Sequence, residues 1–133
     1  MVLLFMNAEQ VKNWLKKARH DLSASGKLLG QDKVEETDVI CFHCQQAVEK
    51  LLKAYLCHIN QPIEKTHSIE KLVLLCTKHN KKLESLHNII GNISYYAVEI
   101  RYPDDFYMPT VAEAKEALNI AQRVESIIRK LLL

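Results

Sequence analysis

The stretch from Asp38 to Ile59, DVICFHCQQAVEKLLKAYLCHI, constrains the fold more than any other part of the chain. It is 22 residues without Gly or Pro, and at 100° per residue Ile40, Cys44, Ala47, Val48, Leu51, Leu52, Ala54, Tyr55, Leu56 and Ile59 spread over an arc of about 200°. A helix with so wide an apolar arc must pack on two neighbours, so it belongs at the centre of a bundle. The narrower polar arc holds His43, Gln46, Glu49, Lys50 and Lys53. Gln45 falls among the apolar positions, which predicts a buried, hydrogen-bonded amide.

The neighbours can be read from the same periodicity. Val11, Trp14, Leu15, Ala18, Leu22, Ser25, Leu28 and Leu29 form one stripe of a first helix, expected to start at Asn7, where Gln10 completes a capping box, and to end near Gly30. Trp14 reads as a core anchor. Gln61-Pro62 marks a turn, and Thr66, His67 and Ser68 open a third helix whose face is Ile69, Leu72, Val73 and Cys76. Helical spacing then continues from Leu83 through Ile89, Ile93, Tyr96 and Ile100 to Arg101, with Gly91 as a weak point. Thr110 and Glu113 make a second capping box, and Ala114, Ala117, Leu118, Ala121, Val124, Ile128 and Leu131 form the last stripe. Short connections between these helices predict an all-α, up-and-down bundle of four to five helices.

The 133 residues suit one domain, residues 1–133, with 1–6 as a tail. Only three Gly and three Pro, with 48% apolar residues, favour long helices over a loop-rich or disordered chain. A net charge of +2 is too small to mark a nucleic-acid binder by charge alone. The apolar VLLF at the N-terminus is too short for a signal sequence or a membrane span, and the four cysteines have no disulfide spacing, so the cytoplasm is the expected compartment.

Cys41-Phe-His-Cys44 with Cys57-His58 resembles a zinc ligand set. On one continuous helix, however, Cys57 lies about 220° around from Cys44 and about 160° from Cys41, so the thiols face apart. Cys41 and Cys44 are therefore read as small core residues, and neither a metal nor another cofactor is expected.

The chemistry collects at RYPDDFYMPT, residues 101–110. Pro103 cannot continue a helix and biases Tyr102 towards extended geometry, which leaves Arg101 at a helix C-terminus, the end of the dipole that favours a cation. Asp104, Asp105 and Tyr107 follow in a short loop. Arg101 either caps its helix and pairs with one of those aspartates, or binds a phosphate beside a hydroxyl.

Trp14 to Leu22, then FHCQQAVEKLLKAYL, KTHSIEKL, YYAVEIRYPDD and the alanine-rich last helix together resemble the small prokaryotic HEPN domains over nearly the whole chain. The resemblance implies a helical bundle, usually homodimeric, in which many relatives act as toxins beside a minimal nucleotidyltransferase antitoxin. Active HEPN ribonucleases carry Arg followed after four to six residues by His and cut RNA without a metal. Here Arg101 matches the arginine, but the positions open to the histidine hold Phe106, Tyr107 and Met108, leaving an Arg-x5-Tyr motif.

By that resemblance Arg101 would hold the scissile phosphate, Tyr107 would orient a ribose hydroxyl or accept a nucleotidyl group from the partner, and Asp104 would fix the Arg101 rotamer. Lys50 and Lys53, otherwise plain surface charges, would add phosphate contacts, and His43 would join them at the edge of the site. The alternative is a non-catalytic module that binds a nucleotide or the nucleotidyltransferase through the same residues. In neither case is a membrane involved.

Overall fold

The computed structural model describes residues 2–63, 65–91, 93, 94 and 108–133, with only the backbone for residues 2–6. Five α-helices are found among them: α1 Val2–Leu29, α2 Thr37–His58, α3 Ile69–His79, α4 Leu86–Ile89 and α5 Val111–Leu132, with a 3-10 turn at Lys81–Ser85 before α4. The class is all-α, as the periodicity predicts.

α2 is the centre of the bundle. Its apolar arc is shared mainly between α1 and α5, and Ile40, Cys44, Ala47, Val48, Leu51 and Leu52 are all fully buried. Specific pairs give the direction of α1: the Lys53 ammonium lies over Trp14, Lys50 and His43 meet Asp21, and Ser25 donates to the Ile40 carbonyl at 3.3 Å. Positions rise along one helix as they fall along the other, so α1 and α2 are antiparallel. Arg19 and Glu125, 2.9 Å apart, tie α1 to α5.

Asn60 ends α2 in the left-handed region (φ 61°), a conformation asparagine tolerates, and Gln61 N–H reaches back to the Leu56 carbonyl at 2.9 Å. The connection then doubles back along α2 and brings His67 beside Gln45 and Glu49. Ser68 caps α3 by accepting from Lys71 N–H, and Ile69, Leu72, Val73 and Cys76 are buried as the spacing requires. The capping box at α5 is formed in both directions, between Thr110 and Glu113.

Three expectations are corrected. α1 starts at Val2 and not at Asn7, so residues 2–6, expected as a tail, continue the helix in their backbone and Asn7 is not a cap. Asn7 Oδ1 instead accepts from the Cys57 thiol at 3.0 Å. The single helix expected from Leu83 to Arg101 is broken. A 3-10 turn and the one-turn α4 replace its first half, and Gly91 adopts φ 50°, a value that costs a residue with a Cβ about 1–2 kcal/mol. Trp14 is half-buried, a platform beside a lysine and not a member of the sealed core.

Candidate functional site

The site that can be built from the described residues lies on the polar arc of α2, where it meets α1 and the loop before α3. Asp21 is the first hub. It projects from α1 and is only 7% exposed. One of its carboxylate oxygens lies 2.8 Å from His43 Nδ1, and the other accepts from the Lys50 ammonium at 2.6 Å. His43 and Lys50 are seven residues apart, two turns on the same face of α2, so one carboxylate from α1 bridges them.

Glu49 is the second hub and is 4% exposed. One oxygen lies 2.8 Å from His67 Nδ1 and the other 3.5 Å from the Lys53 ammonium. Lys53, 6% exposed, also stands 5.7 Å from the centre of the Trp14 ring, where the face of the indole attracts a cation. The two hubs have the same chemistry: a buried carboxylate that binds one ammonium and one imidazole through Nδ1. Such buried charges persist only when paired, because unpaired they would lose hydration with nothing in return.

The expectation that Lys50 and Lys53 are plain surface charges is thus corrected. The side chains of Lys50 and Lys53 are 21% and 8% exposed, and each is held by a carboxylate. His43, with 32% of its side chain exposed, is the more accessible member of the Asp21 cluster. Gln45 is fully buried and its amide donates to the His67 carbonyl at 3.4 Å while accepting from Gln46, so the core amide is satisfied as predicted. Arg101, Asp104 and Tyr107 lie outside the described residues, so their placement relative to these hubs is not part of the geometry.

Asp21 and the pairing of His67 with Glu49 were missed by the sequence argument. A signal for Asp21 was present: it stands between Ala18 and Leu22 on the stripe of α1, and a carboxylate on an apolar stripe demands a buried cation. His67 gave no comparable signal, because its contact depends on the path of the connection after Asn60.

The cysteines take no part in this cluster. Cys41, Cys44 and Cys76 are fully buried, and burial pushes their thiols up to about 12, about 11 and about 12. Neutral thiols are poor metal ligands. Cys44 donates to Ser25 Oγ and Cys76 to the Leu52 carbonyl, so both behave as small core residues with weak donors. No group of three or more His, Cys, Asp or Glu residues poised to hold a metal occurs among the described residues. No described helix is long and apolar enough to cross a membrane.

A bundle centred on a helix with this polar arc, matched by a family model for the HEPN domain over residues 11–131, decides the relationship. The chain belongs to the HEPN domain family. The match covers both hubs, the cap of α3 and the stretch that carries Arg101 and Tyr107, so the resemblance read from FHCQQAVEKLLKAYL and RYPDD is correct at the level of the family. No curated protein matches the sequence of this HEPN chain.

Proposed function

We propose that this HEPN protein is an RNA-directed toxin, a metal-independent endoribonuclease acting through Arg101 and Tyr107, whose antitoxin is a small nucleotidyltransferase. The observation that carries the reading is the accessible edge of the α2 polar arc, where the partly exposed His43 and Lys50 are both set by the buried Asp21 carboxylate. A fixed cation beside an imidazole suits a phosphodiester, whose cleavage needs charge stabilisation and proton transfer and little else. Arg101 supplies the planar, permanently charged fork that grips a phosphate through two hydrogen bonds. Asp104 holds that fork in a productive rotamer.

One Arg101 corner offers one cation and no strong base, so the active unit is a homodimer in which two corners approach each other. Tyr107 orients the ribose, and it is the acceptor when the partner transfers a nucleotidyl group to silence the toxin. The added phosphate would occupy the Arg101 fork and repel RNA.

A second reading is favoured by the carboxylate partners of Lys50 and Lys53, which already offset their charge. In that reading the chain binds a nucleotide or the nucleotidyltransferase without cutting RNA. Expression in a bacterial culture separates the two. The toxin reading expects growth arrest by the wild type, none by Arg101→Ala, and recovery when the nucleotidyltransferase is co-expressed. Arrest of equal strength by Arg101→Ala, or a harmless wild type, would contradict it.

A further inference from the structure

The Arg-x5-Tyr motif lacks a residue suited to taking a proton at neutral pH, since an unperturbed phenol titrates at about 10. The chain supplies one elsewhere. His43 lies on α2 with Nδ1 fixed at 2.8 Å by Asp21 Oδ1, and none of the described residues hydrogen-bonds its Nε2. Asp21 is 7% exposed and is itself fixed by the Lys50 ammonium on its other oxygen, so the imidazole is set in one orientation by a carboxylate that cannot swing away. About a third of the His43 side chain is exposed, and its ring is braced edge-on by Phe42 at 6.1 Å. A buried carboxylate on one ring nitrogen, with a second nitrogen that no described residue hydrogen-bonds, is the arrangement by which proteins orient an imidazole for proton transfer.

We infer that His43 is the general base of the RNA cleavage proposed above, with Asp21 as its positioning residue and the substrate a single-stranded RNA whose ribose reaches Nε2. The inference rests on the ribonuclease reading. The ribose 2′-hydroxyl gives its proton to His43 Nε2 as its oxygen attacks the neighbouring phosphorus. The bond from phosphorus to the 5′-oxygen breaks, that oxygen leaves with a proton from water, the hydroxide so formed takes the proton from His43, and the products are a 2′,3′-cyclic phosphate and a 5′-hydroxyl. No oxidant, metal or second reactant is needed. Among the described residues the charged group on the imidazole is Asp21 from α1, and Lys50 from α2 acts on it through the other oxygen of that carboxylate. His67 is the other imidazole held by a carboxylate, but it stands on the loop before α3 with 74% of its side chain exposed, a less rigid mount than two long helices packed against each other.

The test uses the full-length protein and a fluorescent single-stranded RNA over a range of pH. For the wild type, kcat/KM should rise with pH along one ionisation and level off. In His43→Gln it should fall by about 100-fold or more, the usual contribution of a general base, and the rising limb should disappear. His43→Ala should regain activity when imidazole is added to the solution, which a merely structural role would not allow. Asp21→Asn should lower kcat more than it changes KM. An unaltered rate and pH profile in His43→Gln, or a loss that imidazole does not restore in His43→Ala, overturns the assignment of the base and leaves the ribonuclease reading standing. No cleavage by the wild type overturns both.

Discussion

The pair Glu49 and Lys53 allows a quantitative test of the claim that the polar arc of α2 is buried. Glu49 and Lys53 are 4% and 6% exposed, and their charged atoms are 3.5 Å apart. In Glu49→Met the Lys53 ammonium keeps, among the described residues, the Trp14 ring as its partner. Breaking a buried pair in this way costs about 3–5 kcal/mol. The lower end applies here, because the indole retains part of the stabilisation and the flexible lysine stem can carry its head towards water. For a chain of this length a loss of about 3 kcal/mol lowers Tm by roughly 10 °C. The double substitution Glu49→Met with Lys53→Met removes both charges and fills similar volume, so it should recover most of the loss, while His67, largely exposed, returns to water. Thermal and urea unfolding followed by circular dichroism measures all three variants. A loss below about 1 kcal/mol in Glu49→Met is what an exposed pair would give, and would refute the buried geometry.

Thiol chemistry should be slow in the native protein. At pH 8 a disulfide reagent should label Cys57 first, since Cys41, Cys44 and Cys76 are fully buried with thiols raised to about 12, 11 and 12, and all four should react once the chain is unfolded. The same shifts make stability fall with alkali: below about 9 both states keep these protons, and above it the unfolded chain ionises while the folded one does not, so unfolding is favoured progressively from pH 9 towards 12. Thr110→Ala should cost about 1 kcal/mol in urea unfolding, because the hydroxyl that accepts from Glu113 N–H is lost while the Glu113 carboxylate still takes the backbone N–H of residue 110. Incubation with the nucleotidyltransferase and ATP should add a nucleotide mass to the wild type and none to Tyr107→Phe, as read by intact-mass spectrometry. An adduct on Tyr107→Phe would move the acceptor, with Tyr102 the first residue to examine.

The fold was legible where periodicity and capping act locally. The stripe of α5 with its Thr110 box, the buried face of α3 and the wide arc of α2 all follow from spacing that a helix must honour. It was less legible where tertiary contacts override spacing. Leu83 to Ile90 keeps helical periodicity, yet it forms a 3-10 turn and a single turn of helix before Gly91 at φ 50°. The start of α1 was misjudged because Asn7 and Gln10 have the residue types of a capping box, whereas in the fold both serve as acceptors for the Cys57 thiol. The chemistry of the candidate site was half legible. His43, Lys50 and Lys53 stand out on the polar arc, but their burial and pairing depend on Asp21 from α1 and on a loop path that brings His67 to Glu49. Helix periodicity says which residues share a face, and says little about which acidic residue of another helix will meet them.

The most direct measurement is cleavage of a single-stranded RNA by the purified protein in the presence of a chelator, with Arg101→Ala as control. The account predicts fragments ending in 2′,3′-cyclic phosphate from the wild type, undiminished by the chelator, and none from Arg101→Ala. Cleavage that the chelator abolishes, or that Arg101→Ala retains, would contradict it.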